Sequence, residues 1–477
     1  MGERGLRGLL CGAAVLLVVG CKVGPDYQPT KTETPLPAGW DGITVAAPAQ
    51  PSVATTDAAQ LAEWWSVLND PTLTQLVTDA LKANLDLRTA VSALRQARAT
   101  RNVTAAGFWP SVNATGSYTR SGPLGGGGAT DLFENGLDAS WEVDVFGGVR
   151  RGIEVADANV DAAVENIRDV LTSVAAEVAT DYVALRAFQQ RIQIANDNLK
   201  AQQHTAELTR RKFKGGLDTA LDVANAEAAV ASTEATIPPL ETSARQTVYA
   251  LSVLLARPPA ALKEELSAPG PIPQAPAQVP VGLPSALLQR RPDIRKSEAL
   301  IHAATAQIGV AEAEWFPQFS LTGSFGYESD KVRTLLRSGN SLWSFGPSVT
   351  WPIFTAGKIQ ANIEEQNAAQ EQTILAYQKT VLTALQDVEN SLVAFALEQQ
   401  HRQLLEQAVK ANTKAVDLST QLYTEGTSDF LSVIVAQQSL LSSQDALVQS
   451  NQAIATDLIS LYKALGGGWS ASSASEK

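Results

Sequence analysis

Residues that commonly carry catalysis or bind metals are scattered along this chain of 477 residues. The histidines stand singly in helical patterns and lack metal-ligand spacing: His204, His302 and His401. The glycine run 125–128 lacks the strand-to-helix context of a dinucleotide site, and Gly357-Lys358 lacks the upstream glycine of a phosphate loop. We therefore expect no enzymatic activity, no metal centre and no cofactor other than a covalent lipid.

Cys21 is the position at which the sequence predicts chemistry. Two arginines and an apolar run, Leu9 to Val19, too short to span a bilayer, precede Gly20 and Cys21. This order resembles a bacterial lipoprotein signal, which is cleaved between Gly20 and Cys21 and leaves the cysteine acylated, with palmitate among its acyl chains. The alternative is an ordinary cysteine after a standard signal. Lys22, in place of Asp, favours passage to the outer membrane, and Cys11 leaves with the signal.

The composition argues against a compact enzyme core and against nucleic-acid binding. Aromatic residues make up 6% of the chain, whereas Ala, Gln, Ser and Thr are abundant, which suits helices packed side by side with wetted surfaces. The formal net charge of −12 leaves no basic face for phosphates. We therefore exclude nucleic acid as a partner.

The two halves of the chain repeat one another, and a Pro-rich stretch separates them. Asp86-Leu87-Arg88 corresponds to Asp293-Ile294-Arg295, and Trp109-Pro110 corresponds to Phe316-Pro317. Because the matches keep one order, we infer a tandem duplication. The predicted organisation is a signal peptide (1–20), a lipidated N-terminal tether (21–60), a first repeat (61–255), a Pro-rich linker in an equatorial region (256–284), a second repeat (285–466) and a flexible C-terminal tail (467–477).

Each half contains two segments in which apolar and polar residues alternate. Phe319 and Leu321, for example, alternate with Ser320 and Thr322. Segments of about ten residues with this alternation, and with aromatic residues near their ends, are typical of transmembrane barrel strands; the alternative is a half-buried sheet in a soluble domain. The predicted strands are about 111–121, 136–146, 318–329 and 343–354.

The number of strands predicts an oligomer. Membrane barrels start at about eight strands, and an open sheet edge in lipid leaves backbone groups unsatisfied at a cost of several kcal/mol each. Four strands per chain therefore cannot close a barrel alone. Three chains would supply twelve strands.

Long stretches with apolar residues at steps of three and four predict helices. Two helices of about 100 Å, at a rise of about 1.5 Å per residue, each reach a glycine turn, Gly215-Gly216 or Gly426, and are followed by a return helix. A shorter helix precedes the strands of each half. The predicted long helices are 150–214 and 358–425, the return helices 217–255 and 427–465, and the shorter helices about 73–107 and 285–314.

Four motifs together carry a family resemblance. They are Cys21 to Pro29, Trp64-Trp65 with Asp70-Pro71, Arg290 to Arg295, and Trp351 to Phe354 with Gly357. Their order and types resemble the lipoprotein (OprM/NodT-like) branch of the TolC-like outer-membrane efflux proteins, over nearly the whole mature chain.

This resemblance implies a homotrimer in the outer membrane that extends into the periplasm. Its fold would combine a twelve-stranded membrane β-barrel with a twelve-helix periplasmic α-barrel. The partners it implies are a periplasmic adaptor (membrane fusion) protein and an inner-membrane pump, of the proton-driven RND type. The cargo would be small toxic molecules such as drugs, as in multidrug resistance. Exposed grooves between hairpins suit partner helices, so the tips at Gly215, Gly216 and Gly426 are the candidate adaptor-docking sites.

The chain departs from the family pattern after the second glycine tip. Many relatives carry an acidic ring there, whereas this chain has Ser432 and Val435 at the usual acidic places. We therefore predict a periplasmic gate closed mainly by packing and dewetting, with Leu431 as its apolar constriction and Asp429 as a weaker charged element. The alternative is ordinary helix-turn packing.

Two other functions compete with small-molecule efflux. The channel could be the outer-membrane duct of an ABC-driven protein secretion system. In a different class, the chain could be a structural coiled-coil surface lipoprotein with a β-cap. The sequence names neither the cargo nor the particular pump.

Overall fold

The computed structural model describes residues 22–29, 35–45, 52–55, 61–125 and 127–470. The predicted signal cleavage at Gly20 and Cys21 and the acylation of Cys21 lie outside these residues. Two compact units divide the chain. We call the first the sheet unit; its described residues fall within Met1–Glu33, Ser92–Val164 and Lys296–Lys379. We call the second the tip unit; its described residues fall within Thr34–Val91, Glu165–Arg295 and Thr380–Lys477.

Helices account for most of the described chain. In chain order they are α1 (Pro71–Ala83), α2 (Leu85–Ala106), α3 (Gly148–Lys214), α4 (Ala220–Leu254), α5 (Leu287–Arg290), α6 (Pro292–Ala313), α7 (Lys358–Glu425) and α8 (Phe430–Ala464). Helices α3 and α7, with 67 and 68 residues, are each about 100 Å long at about 1.5 Å per residue. Among the described residues, no helix is at once long and apolar enough to cross a membrane.

The first short helix is divided, which corrects the prediction of one helix over 73–107. The side chain of Asp70 accepts a hydrogen bond from Leu73 N (3.0 Å) and starts α1 at Pro71. Asn84 then leaves the helical conformation, and its side-chain oxygen accepts hydrogen bonds from the backbone N–H groups of Asp86 and Leu87. Such a cap satisfies donors at the start of a new helix, so α2 begins at Leu85.

Caps also set the start of the return helices, which lie at 220–254 and 430–464 rather than 217–255 and 427–465. Thr219 and Asp222 form a reciprocal capping box before α4. Asp429 accepts hydrogen bonds from both the backbone N–H and the hydroxyl of Ser432 before α8. The residues between each glycine turn and its cap are therefore connections rather than helix.

The strands are β1 (Val53–Thr55), β2 (Ser111–Ser121), β3 (Thr130–Val143), β4 (Gln278–Pro280), β5 (Gln318–Ser329) and β6 (Ser341–Thr350). The four long ones form an antiparallel sheet in the sheet unit, in the order β2-β3-β5-β6. The predicted segments 136–146 and 343–354 are corrected to β3 and β6. β3 ends early because the Asp144 carboxylate accepts hydrogen bonds from the first backbone N–H groups of α3, those of Val149 and Arg150. β6 ends before Pro352, which has no N–H for a ladder.

The predicted extended tether and linker contain folded parts. In the tip unit, β1 pairs in parallel with β4, so residues 53–55 of the tether join residues 278–280 of the linker. The amide of Gln399 holds the residue before β1: Ser52 N donates to its oxygen, and its NH₂ donates to Ser52 O, both at 3.0 Å. A side-chain amide can bind both the N–H and the C=O group of one residue in this way, because it offers a donor and an acceptor together.

The beginning of the predicted flexible tail is also packed. Gly467 N donates to Tyr462 O, and Gly468 N donates to Leu61 O at 2.7 Å. Trp469 is buried, and the guanidinium of Arg168 lies 4.5 Å from its ring centroid, a favourable cation–π distance. The prediction of a flexible tail is therefore wrong for Gly467–Trp469, while residues 471–477 lie outside the described part of the chain.

Gly467→Ala should destabilise the tip unit. A Cβ at this position would lie 2.8 Å from a ring carbon of Trp64 and 2.9 Å from Tyr462 O, and overpacking of this kind costs about 1–3 kcal/mol. We expect a lower thermal unfolding midpoint by circular dichroism in detergent. Gly39→Ala is the control, since nothing lies within 4 Å of its added Cβ. An equal midpoint for both variants would contradict this packing.

Candidate functional site: a two-faced sheet and two helix tips

The register gives the four-stranded sheet two chemically different faces. Partners in the ladder point to the same side, so the pairs Ser117–Glu134, Glu134–Glu328 and Ser324–Ser344 lie on one face. We call this the polar face; it comprises Asn113, Thr115, Ser117, Glu134, Asp138, Ser140, Glu142, Ser320, Thr322, Ser324, Glu328, Ser344 and Ser348. The apolar face carries the large side chains Val112, Ala114, Tyr118, Phe133, Leu137, Trp141, Val143, Phe319, Leu321, Phe325, Tyr327, Trp343, Phe345 and Val349. The same face also carries Asn135 and, at the end of the β2–β3 hairpin, the Arg120–Asp131 ion pair.

The polar face is suited to water. Its hydroxyls bond across the strands, as between Ser320 and Ser348 (2.6 Å) and between Ser324 and Ser344 (2.8 Å). Hydroxyls also donate to its carboxylates, as Ser117 does to Glu134 (2.8 Å). Within the four described strands this face carries Asp and Glu but no Lys or Arg. An aqueous path along it would therefore favour cations over anions.

The apolar face is exposed on β6 and at Val112, Tyr118, Leu137 and Phe325, and its other large side chains are half-buried. Trp343 is 78% and Phe345 66% exposed, and large side chains at this density exceed what a water-facing surface normally shows. An outward apolar band opposite a polar face is the arrangement of membrane β-strands. The alternation in the sequence thus predicted the two faces, and the register confirms it.

Aromatic residues mark the helix-bearing end of the sheet, in the same way in both repeats. The indole N–H of Trp141 donates to Phe108 O at 3.0 Å, and that of Trp351 donates to Trp315 O at 3.1 Å. Both indole rings stay at least partly exposed while their N–H groups are satisfied. Tryptophan in this situation is typical of the membrane–water interface.

The two glycine turns lie in the tip unit, each between a long helix and its return helix, and their role in adaptor docking stays a prediction. Gly216 (φ +74°) and Gly426 (φ +80°) adopt the left-handed conformation that ends a helix. The residue after each glycine donates back into the last turn, Leu217 to Lys212 O and Thr427 to Leu422 O, both at 2.9 Å. Nothing lies within 4 Å of a Cβ added at Gly216 or Gly426. Both turns therefore have open space beside them in this chain.

A buried tyrosine links the end of α7 to the α3–α4 tip. The Tyr423 hydroxyl lies within hydrogen-bond distance of the Asp218 carboxylate and 2.9 Å from Thr209 Oγ1. The Lys212 ammonium lies 4.0 Å from the Tyr423 ring centroid and donates to Tyr423 O. Burial and the bond to Asp218 raise the pKa of Tyr423, so the phenol keeps its proton. We call these four residues the tip lock.

The tip lock rests on a small apolar cluster, which includes Ala206, Ala226, Phe430, Val433 and Ile434. The sequence did not predict the tip lock, although it placed the tips at Gly215, Gly216 and Gly426. A signal was present: Tyr423 is an apolar-seam position three residues before the Gly426 turn. Its partners could not be read from the sequence.

The gate candidates lie at the start of α8, on a side of the helix away from the apolar cluster beneath the tip lock. Leu431 is 58% and Val435 52% exposed in the single chain, and Ser432 is exposed between them. Asp429 is exposed as the cap of α8, and the hydrogen bonds from Ser432 lower its pKa. The Asp429 carboxylate thus caps the first turn of α8 through these hydrogen bonds. The assignment of Leu431, Ser432, Val435 and Asp429 to a gate stays a prediction.

Comparisons with known proteins agree with these surfaces. The profile of the family described as "Outer membrane efflux protein" matches residues 76–257 and 283–467. "Nodulation protein T" of Rhizobium leguminosarum bv. trifolii is 33% identical over 458 residues, covering 95% of this chain and 96% of that protein. "Toluene efflux pump outer membrane protein TtgC" of Pseudomonas putida is 33% identical over 473 residues, covering 97% and 95%.

A solved structure shows the same fold. The outer-membrane channel OprN superimposes with a TM-score of 0.85 at 33% identity, over 94% of this chain and 100% of that one. This likeness confirms the predicted fold class, and the family is one of transport channels rather than enzymes. The two-faced sheet, the paired tips and these similarities lead to one conclusion: the chain belongs to the outer membrane efflux protein family.

Proposed function

We propose that three copies of this chain form the outer-membrane channel of a tripartite efflux system. The channel passively conducts small toxic compounds or drugs, delivered by an inner-membrane pump and a periplasmic adaptor, to the exterior. The observation that carries this proposal is the four-stranded sheet with one lipid-compatible face and one water-compatible face. No energy source is needed in the chain itself, because the pump supplies it.

The edges of the sheet support the trimer. Strands β2 and β6 are at its edges, and an unpaired edge in lipid costs several kcal/mol for each unsatisfied backbone group. Pairing β2 of one copy with β6 of the next removes every edge when the ring closes. Three copies give twelve strands, within the range of known barrels.

The partners follow from the tips and from the names of relatives. The turns that contain Gly215-Gly216 and Gly426 have open space beside Gly216 and Gly426, which would give an adaptor access to grooves between hairpins. One relative is named as a toluene efflux pump outer membrane protein, which supports a small-molecule cargo and a pump as partner. We propose that this pump is of the proton-driven RND type. In addition to the barrel, the acylated Cys21 would attach the chain to the outer membrane.

The periplasmic gate is proposed at the start of α8. Leu431 and Val435 form an exposed apolar pair one helical turn apart, and a ring of such residues from three copies would narrow the pore and repel water. Asp429 contributes less, because its carboxylate is bonded to Ser432.

Deletion of the gene tests the proposed cargo. Cells without the chain should become several-fold more susceptible to dyes and detergents, and a wild-type copy should restore resistance. Unchanged susceptibility together with the loss of a protein from the culture medium would contradict efflux and favour an ABC-driven protein export duct. The measurement is the minimum inhibitory concentration with parallel analysis of secreted protein.

A further inference from the structure

The first described residues of the chain, Lys22–Tyr27, lie across helices of the sheet unit rather than hanging free; we call them the strap. Val23 N donates to Phe146 O at 3.2 Å, just after β3. The Tyr27 ring stacks on His302 of α6 with centroids 4.4 Å apart, and its hydroxyl donates to Glu298 at 3.1 Å. Both ends of the strap are therefore held by defined contacts.

Arg151 of α3 binds the middle of the strap. Its side chain is 0% exposed, and its guanidinium donates to Val23 O (2.9 Å), Gly24 O (2.8 Å) and the Asp26 carboxylate (2.9 Å). A planar fork with five N–H donors can reach several acceptors at once, which an ammonium group cannot do in the same geometry. The strap backbone thus supplies hydrogen-bond acceptors to a buried cation.

Glu154 balances the charge of this arrangement. It accepts from Arg151 at 2.9 Å, pairs with Lys22 at 2.5 Å and lies 3.1 Å from His302. Burial raises its pKa, but the hydrogen bonds from Lys22, His302 and Arg151 outweigh this and lower the pKa of Glu154 to about 2. A buried arginine is costly unless it is paired, and this carboxylate supplies the pairing.

Two glycines let the strap approach this closely. Gly24 adopts a positive φ of +85°, and a Cβ there would overlap Gly309 Cα. A Cβ at Gly309 would in turn lie 2.7 Å from Arg151 Nε. Strap, Gly309 and Arg151 therefore form three layers with no room for a side chain between them.

We infer that the strap is a rigid mount that fixes the lipid anchor of the chain against the helix-bearing end of the sheet, with Arg151 as its positioning residue. The lipid part rests on the proposed acylation of Cys21. The strap starts one residue later, which leaves about 3.5 Å of chain between anchor and mount. A flexible tether of the predicted length would instead separate the anchor from the folded chain by roughly 35 Å on average. The partner of this mount is the acyl region of the membrane next to the interfacial tryptophans.

Spin labels on the mature channel test the mount. The chain has two cysteines, Cys11 in the predicted signal and Cys21, so Gln28→Cys gives a label beside the strap once Cys21 is acylated, and Gln372→Cys gives a label on α7 of the same unit. Mass spectrometry of the purified protein checks the acylation separately. A missing acyl mass would remove the lipid part of the inference without touching the proposed transport, which the susceptibility test decides.

We expect an immobilised label at residue 28 in the otherwise wild-type chain. Arg151→Ala should raise its mobility several-fold, Arg151→Lys should give an intermediate spectrum, and the label at residue 372 should not change. Arg101→Ala is the matched control, since it removes an exposed Arg101–Asp157 pair (2.9 Å) that also involves α3. A mobile label at residue 28 without any Arg151 substitution, an unchanged label in Arg151→Ala, or equal loosening at both sites would each overturn the mount.

Discussion

Phe345→Arg should prevent the chain from assembling in the outer membrane, whereas Ser344→Arg, at the adjacent position, should be tolerated. The two residues lie at the middle of β6 and point to opposite faces of the sheet. An arginine on a lipid-facing strand costs about 2–4 kcal/mol at the bilayer midplane, and a trimer carries it three times. Ser344 faces the polar side, where the new guanidinium would meet water and nearby carboxylates.

The assembled fraction measures this difference. We expect Phe345→Arg to be lost from the outer-membrane fraction and from the trimer band of unheated gels. Ser344→Arg should form the trimer and lower the preference of the pore for cations, because it adds a positive charge to the polar face. If the two variants assembled equally well, or if Ser344→Arg alone failed, the assignment of the faces would be wrong.

Tyr423→Phe should loosen the tips and make the channel leak. The change removes a hydroxyl that holds Asp218 and Thr209, and it leaves a partly buried carboxylate without this partner, at a cost of about 1–3 kcal/mol per chain. Because the tip lock joins the end of α7 to the α3–α4 tip, the arrangement of the tips in this structure loses stability relative to one in which they separate. Three copies multiply the effect on the equilibrium.

Leakage can be read as conductance in planar bilayers and as susceptibility to large antibiotics that the outer membrane normally excludes. Tyr249→Phe is the control, since Tyr249 lies exposed on α4. We expect a higher mean conductance for Tyr423→Phe and the wild-type value for Tyr249→Phe. Equal conductance in all three proteins would show that Tyr423 serves packing alone.

Local pattern explains why the sheet could be predicted. Successive side chains of a strand point to opposite faces, so neighbours such as Phe319 and Ser320 already indicate which face is apolar and which is polar. This alternation also restricts the register, because a shift of one residue would exchange the two faces. The helix tips were predictable for a similar reason, because a glycine in the left-handed conformation, as at Gly216 and Gly426, commonly ends a helix at a tight turn.

Contacts between distant residues explain what could not be predicted. Arg151 lies 128 residues from Val23, and Tyr423 lies 205 residues from Asp218, so neither the strap nor the tip lock leaves a periodic trace. The strap and the Gly467–Trp469 segment looked unstructured because they have no internal hydrogen-bond pattern of their own. Their order comes from contacts with distant residues, which are backbone carbonyls such as Phe146 O and Leu61 O together with the side chains of Arg151 and Arg168.

Copies of this chain should enclose a water-filled pore across a membrane. The most direct measurement is single-channel recording of the purified wild-type protein in planar lipid bilayers. We predict discrete conductance steps that favour cations, in line with the carboxylates of the polar face. Protein that inserts into the bilayer without any conductance step, or that leaves washed membranes in high salt without detergent, would show that the chain forms no such pore.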